Sequence, residues 1–317
     1  MRNAFADEIT NLAIEDDRIL LLSGDIGNRL FDKLKENKPS SFMNCGVAEA
    51  NMIGVAAGLA LSGLVPIVYT ITPFITTRCL EQLRVDVAYH EAPVIIVGTG
   101  SGLSYASLGP THHSLEDFAI FKAIPNIQVL APWDPNSLRQ ILTYAIESGK
   151  PTYIRIGKKG EKNLVEEKKT PPIGRGYQLQ SGKDICILAV GTISHEALSA
   201  IKKLKLDKLI PSLFLLHTVK PFAEMFIDHL LENYKHIIIV EEHSKKGGVA
   251  EDIAAYLTFK KKPKNSPNLV SMGTSDQFLS EVGSQNFART FFNIDSDSIV
   301  KTTKTLFTED KENGIRV

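Results

Sequence analysis

The sequence has few cysteines, no excess of either charge and no long apolar run, and each shortage removes a class of function. Cys45, Cys79 and Cys186 are odd in number, far apart and set among apolar neighbours, which suits neither a disulfide framework nor a metal site. A reducing cytoplasm is the expected compartment. Lys plus Arg total 36 and Asp plus Glu total 36, so no global field would draw the chain to nucleic acid or to an anionic membrane. No segment approaches the ~18 uninterrupted apolar residues of a membrane span. Asp7 and Glu8 stand where a secretory signal needs an apolar run. No strand leads into G-x-G-x-x-G or a Walker loop.

What is present describes a soluble globular protein. The 317 residues are 43% hydrophobic and 23% charged, enough for two domains with sizeable cores. Small-molecule or protein partners fit best.

Apolar runs alternate with helical patterns. The pattern predicts a helix over 2 to 14, then strands at Ile19-Leu20-Leu21-Leu22, Pro66-Ile67-Val68-Tyr69 and Pro93-Val94-Ile95-Ile96-Val97, with a helix from about Thr77 to His90 between the last two. Further strands are expected at Ile127–Leu130 and Thr152–Arg155, separated by a helix after Pro135. Buried strands separated by helices are the signature of a parallel sheet with helices on both faces. A polar, proline-bearing stretch follows, and the alternation resumes at Ile185–Val190, Ser212–Leu216, Ile237–Val240 and Leu269–Met272. The expected organisation is therefore α/β with a first domain over 1–158, a linker over 159–180 and a second domain over 181–317. The basic strip from Phe259 to Lys264 reads as a solvated loop.

The segment from Asn44 to Ala60 carries most of the functional information, because it sets a lone carboxylate, Glu49, in the first turn of an apolar, small-residue helix. The helix dipole favours an ionised Glu49, whereas Met43, Val47, Met52 and Ile53 would favour the neutral acid. A carboxyl so balanced can serve as a proton donor. It can equally be an ordinary helix-start residue, with Gly54 and Gly58 admitting another helix and Gly63 ending this one.

That segment resembles the G-x-A-E-x-N-M-x-G-x-A-A-G-L-A motif of transketolases, and the likeness continues through Arg78, Glu81 and Gln82 to Gly109-Pro110-Thr111-His112 and Leu115-Glu116-Asp117. It covers nearly the whole chain and is similar to the C-terminal half of a transketolase or a 1-deoxy-xylulose 5-phosphate synthase. The resemblance implies a pyrimidine-binding domain followed by a transketolase C-terminal domain, with thiamine diphosphate as cofactor. It implies that Glu49 hydrogen-bonds the pyrimidine ring nitrogen, that Phe74 stacks on the ring, and that Asp25 lies near the same pocket. Flat aromatic faces suit flat heterocycles. It places His112 in the substrate channel, where a titratable ring could shuttle a proton. Arg2 and Lys158 match cations that hold a substrate phosphate.

The diphosphate and Mg²⁺ loop of such enzymes, Gly-Asp-Gly with a downstream Asn, has no counterpart: Gly24-Asp25-Ile26-Gly27 carries Ile26 where the second glycine belongs. The resemblance therefore implies a separate subunit that supplies this loop and holds Mg²⁺, no metal site in this chain, and a heterotetramer containing two copies of it. Leu108 and Gly100 replace an Asp and a His that transketolases aim at the substrate, so altered sugar specificity is expected. Thr218-Val219-Lys220-Pro221-Phe222 and Glu241-Glu242-His243 also fit the family. They read as a stiffened turn and an acidic strand end, assigned to assembly rather than chemistry. Two other readings are the β subunit of a 2-oxo acid dehydrogenase, which Ala131-Pro132-Trp133-Asp134 suggests, and a non-catalytic scaffold subunit.

Overall fold

A computed structural model describes residues 1–27, 29–158, 160–166, 169–261 and 266–312. The expected alternation is present. Helix α1 (Arg2–Glu15) leads to β1 (Ile19–Ser23), α2 (Asp32–Asn37), β2 (Phe42–Asn44), α3 (Glu49–Leu61) and β3 (Val65–Ile71). Short turns α4 (Thr72–Ile75) and α5 (Leu80–Gln82) precede β4 (Ile95–Thr99), then α6 (Asp117–Ala123), β5 (Gln128–Leu130), α7 (Pro135–Ser148) and β6 (Thr152–Ile156). The second half runs β7 (Gly176–Gln180), β8 (Ile185–Val190), α8 (Ser194–Leu206), β9 (Ser212–Leu216), β10 (Thr218–Lys220), α9 (Glu224–Asn233) and β11 (His236–Ser244). It closes with α10 (Val249–Tyr256), β12 (Asn268–Thr274), α11 (Gln285–Phe291) and α12 (Ser296–Glu312).

The strands form a 7-stranded sheet in the order β10-β5-β6-β4-β3-β1-β2 and a 5-stranded sheet in the order β12-β11-β8-β9-β7. All pairings are parallel except β10 with β5 and β7 with β9. Period-two alternation sorts each strand's side chains between faces. In the first sheet Ile19, Leu21, Ile67 and Val97 pack with α1, α2 and α7, whereas Leu20, Leu22, Val68 and Ile96 pack with α3 and α6. That second core runs on without a break into one face of the other sheet, through Cys186, Leu188, Ile237 and Ile239. The remaining face of the second sheet packs on α8, α11 and α12.

Four elements differ from the expectation, the first being β7, which lies inside the expected linker over 159–180 and pairs with β9 in the second sheet. Thr218–Lys220 is a strand, not a turn, and pairs across to the first sheet, with Thr218 opposite Leu130. The expected helix from Thr77 to His90 is broken into a 3₁₀ turn (Thr77–Cys79), α5 and a π-helical stretch (Leu83–Tyr89). The cause is local: Thr76 and Thr77 turn their hydroxyls back to the Thr72 and Pro73 carbonyls, which competes with regular helical bonding. Phe259 to Lys261 continue α10 as a π-helical turn, while Lys262 to Lys264 of the basic strip lie outside the described residues. No described helix is long and apolar enough to cross a membrane.

Two buried histidines give the fold a measurable acid response. His217 stacks on Trp133 with ring centroids 5.1 Å apart and bonds the Pro171 carbonyl; burial pushes its pKa from 6.5 down to about 4. His243, stacked on Phe118, is lowered to about 4 by the same cause. A depressed folded pKa contributes stability that is fully present above the unfolded value and is lost as pH falls through the folded one. Glu241 works the other way, since burial raises its carboxyl to about 7. A single variant isolates one group. The stability gap between the native chain and His217→Gln should shrink by about 3 kcal/mol as pH falls through this window, read by chemical denaturation at each pH. A gap that stays constant would contradict the burial of a neutral imidazole.

Candidate active site

The residues singled out from the sequence gather at the carboxyl ends of the parallel strands, where ligands bind in open α/β sheets. Asp25 follows β1, Glu49 follows β2, Phe74 follows β3, Gly100, Leu108 and His112 follow β4, and Lys158 follows β6.

Glu49 opens α3, whose N-cap position, Ala48, has no side-chain cap; the carboxylate therefore offsets the helix-start dipole. It is 3% exposed, whereas Met43 and Val47 are exposed. The apolar surroundings expected from the sequence are thus only half present, supplied by Met52 and Ile53 behind it. Gly24 lies beside it, and its missing Cβ spares Thr70: a Cβ there would crowd Thr70 Oγ1 at 3.0 Å while meeting Glu49 Cγ at an ordinary 3.6 Å. Asp25 is exposed and accepts a hydrogen bond from Asn44 Nδ2 at 2.9 Å.

Arg78 Nη1 donates to Glu49 Oε2 at 2.9 Å, and the same guanidinium lies 4.2 Å from the centroid of the Phe74 ring. Phe74 in turn meets the His112 ring edge to face at 5.2 Å. His112 packs on Tyr105 at 6.0 Å, and Lys158 Nζ stands 4.5 Å over Tyr105. One continuous set of contacts therefore joins Glu49, Phe74, His112 and Lys158, with Arg78 and Tyr105 as the links. Burial lowers the pKa of His112, which favours the neutral ring, and its Nδ1 pairs with the Thr111 hydroxyl at 2.9 Å. His113 is buried, and burial lowers its pKa. Arg2 is half-buried at the start of α1, its Nε without a hydrogen-bond partner among the described residues. It neighbours Tyr69, as does Tyr105.

Leu108 is 51% exposed and lines an open edge rather than a sealed wall. Gly100 has φ +73, and a Cβ there would fall 1.9 Å from the Tyr105 ring. Tyr105 therefore occupies the space that a side chain at position 100 would need. Sequence reasoning passed over Tyr105, since a lone tyrosine in a glycine-rich loop gives no pattern.

Sequence reasoning also missed what holds this loop. Glu242, at the end of β11, accepts hydrogen bonds from Leu103 N at 2.8 Å, Gln285 Nε2 at 2.9 Å and Arg289 Nε at 2.5 Å. Arg155 Nη2 donates to the carbonyls of Ser114 at 3.0 Å and Glu242 at 2.8 Å, and its Nε stands 2.8 Å from Asp117. Tyr153 donates to the same carboxylate at 2.7 Å. Glu242 and Arg155 thus clamp the Gly100 to Ser114 loop to the second sheet. Two acids extending the fully apolar run Ile237–Val240 were the available signal. The neighbour, Glu241, caps α10 by accepting from Val249 N and Ala250 N. The Trp133-Asp134 pair is structural: Asp134 caps α7 and holds Leu164 N and Val165 N. The thiols are not poised for chemistry, since burial pushes Cys79 up to about 12 and Cys186 well above its ordinary value.

Comparison with known proteins identifies the family. Residues 1–161 match the family described as "Transketolase, pyrimidine binding domain" and residues 174–279 match "Transketolase, C-terminal domain". The chain is 32% identical over 268 residues to a subunit of the apulose-4-phosphate transketolase of Actinobacillus succinogenes, covering 84% of this chain and 85% of that one. It is 31% identical over 303 residues to the 6-deoxy-6-sulfo-D-fructose transketolase subunit SqwH of a Clostridium species, covering 95% and 92%. Among solved structures it superposes on a split gene transketolase, described as an inactive β4 tetramer, with a TM-score of 0.85, 27% identity and 97% of each chain covered.

Proposed function

The chain belongs to the transketolase family, and from that premise we propose that it is the pyrimidine-binding subunit of a two-subunit, thiamine diphosphate-dependent transferase that moves a two-carbon ketol unit between sugars. The observation that carries the proposal is the unbroken set of contacts from Glu49 through Phe74 and His112 to Lys158. The residues fit the cofactor, because Glu49 and Phe74 already hold a flat nitrogen donor, the Arg78 guanidinium, by one hydrogen bond and one ring face.

When bound, thiamine diphosphate supplies the nucleophilic carbon and the electron sink for carbon–carbon cleavage. Glu49 would hold the pyrimidine ring nitrogen through a shared proton, and Phe74 would fix the plane of that ring. His112, less basic than an exposed histidine because of burial, takes and returns the proton of a substrate hydroxyl. Arg2 and Lys158 bind the anionic end of the sugar. Asp25, just after β1 and held by Asn44, is assigned to the same pocket on the family likeness. The diphosphate and its Mg²⁺ belong to a partner subunit, since Ile26 stands in place of the loop's second glycine.

Two relatives are named for sugars carrying phosphate or sulfonate, which supports an anionic ketose as donor. The face of α3 bearing Val55 and Gly58 is exposed, and a Cβ at Gly58 would meet nothing within 4 Å. This face supports contact with another subunit, two copies of this chain and two of the partner forming the heterotetramer. The deciding experiment mixes the chain with a family partner bearing Gly-Asp-Gly and screens ketose donors by mass spectrometry. Turnover of an anionic ketose only in the mixture is expected. Lack of turnover, or equal use of neutral ketoses, would contradict the reading.

A further inference from the structure

We propose that Arg78 is a built-in competitor of the aminopyrimidine ring, seated on the same two groups and displaced when the ring docks. The inference rests on the assignment of Glu49 and Phe74 to that ring, and it assigns a role to a residue which that assignment leaves without one.

The geometry of Arg78 reproduces what a flat nitrogen heterocycle would do. Its guanidinium is planar, donates one N–H to Glu49 Oε2 at 2.9 Å and lies 4.2 Å over the Phe74 ring. A guanidinium suits this place because it is weakly hydrated, stacks on aromatic faces and keeps its charge at any physiological pH. Glu49 is 3% exposed, and Arg78 is the side chain that pairs with it. A buried carboxylate left without a partner is costly, so Arg78 keeps Glu49 and Phe74 in the arrangement that an incoming ring needs. The two ligands compete for the same carboxyl oxygen and the same ring face, the guanidinium donating to the carboxylate and the pyrimidine nitrogen sharing a proton with it.

Displacement is easy for this side chain. Arg78 is 47% exposed even while paired, so its charge can pass to water without crossing an apolar region. It sits in the 3₁₀ turn Thr77–Cys79, between α4 and α5, where the helix is interrupted. The exchange opens the Arg78 contacts with Glu49 and Phe74 and replaces them with the ring's own contacts to the same two groups. An arginine that leaves for water and returns makes the site's apparent affinity depend on the fraction of molecules with the guanidinium swung out.

The test titrates the full-length chain with 4-amino-5-hydroxymethyl-2-methylpyrimidine, the free ring, and follows binding by nuclear magnetic resonance in the native chain, Arg78→Met and Arg78→Lys. The expected result is binding at least about tenfold tighter in Arg78→Met, with Arg78→Lys in between, since lysine keeps the charge but not the flat stack. In the native chain the arginine side-chain N–H signal missing from Arg78→Met should move as the ring saturates. Equal affinities with that signal unmoved would show that arginine and ring sit side by side. Weaker binding by Arg78→Met would show that Arg78 helps to hold the ring. Either result overturns the proposal. Folded proteins that all fail to bind the ring would overturn the assignment of Glu49 and Phe74 beneath it.

Discussion

Glu49→Gln is expected to lower turnover of the assembled enzyme by at least ~10²-fold, the lower end of what a positioned acid or base contributes, while leaving the fold intact. The amide keeps the volume of the side chain, and its oxygen can still accept from Arg78, so the contact at 2.9 Å has a substitute. What it loses is the ability to share a proton with the pyrimidine ring. The variant should therefore bind cofactor yet exchange the proton on the cofactor's reactive carbon slowly, as read by hydrogen–deuterium exchange. Near-normal turnover with fast exchange would reduce Glu49 to a helix-start residue that offsets the dipole of α3.

Leu108→Asp should shift specificity rather than stability. Leu108 is 51% exposed, so an aspartate there gains water on one side and costs the fold little. In ordinary transketolases an aspartate at this point contacts a substrate hydroxyl, and a hydrogen bond to a charged group is worth enough for a change of about 10- to 100-fold. The specificity constant for xylulose 5-phosphate should rise by that factor relative to the preferred donor. An unchanged ratio would mean that the leucine is neutral. The other departure cannot be reversed alone. A histidine at Gly100 would carry a strained φ of +73 and place its Cβ 1.9 Å from Tyr105, so Gly100→His should disturb the loop unless Tyr105 is made smaller as well.

Much of this was legible in the sequence for a plain physical reason. Strands buried on both faces must be continuously apolar, and Ile19–Leu22, Ile95–Val97 and Ile185–Val190 are. Glu49 stood out because a carboxylate in an apolar helix start is unusual enough to be noticed alone. The rest depended on contacts between residues far apart in the chain. No local pattern marks Thr218–Lys220 as the strand that completes the first sheet, because its partner, β5, lies some ninety residues earlier. Glu242 carries no sign of its Leu103 contact, 139 residues away. Arg78 was visible as part of a motif, but its position over Phe74 follows from the helix breaking at Thr76, a tertiary outcome.

The central claim is that this chain holds one half of a cofactor site, and calorimetry of thiamine diphosphate binding tests it most directly. The cofactor is titrated with and without Mg²⁺ into this chain, into a partner bearing the Gly-Asp-Gly loop, and into their mixture. The account predicts tight, Mg²⁺-dependent binding in the mixture alone, because Gly24-Asp25-Ile26-Gly27 lacks the second glycine of the diphosphate loop. Tight, Mg²⁺-dependent binding by this chain on its own would contradict it.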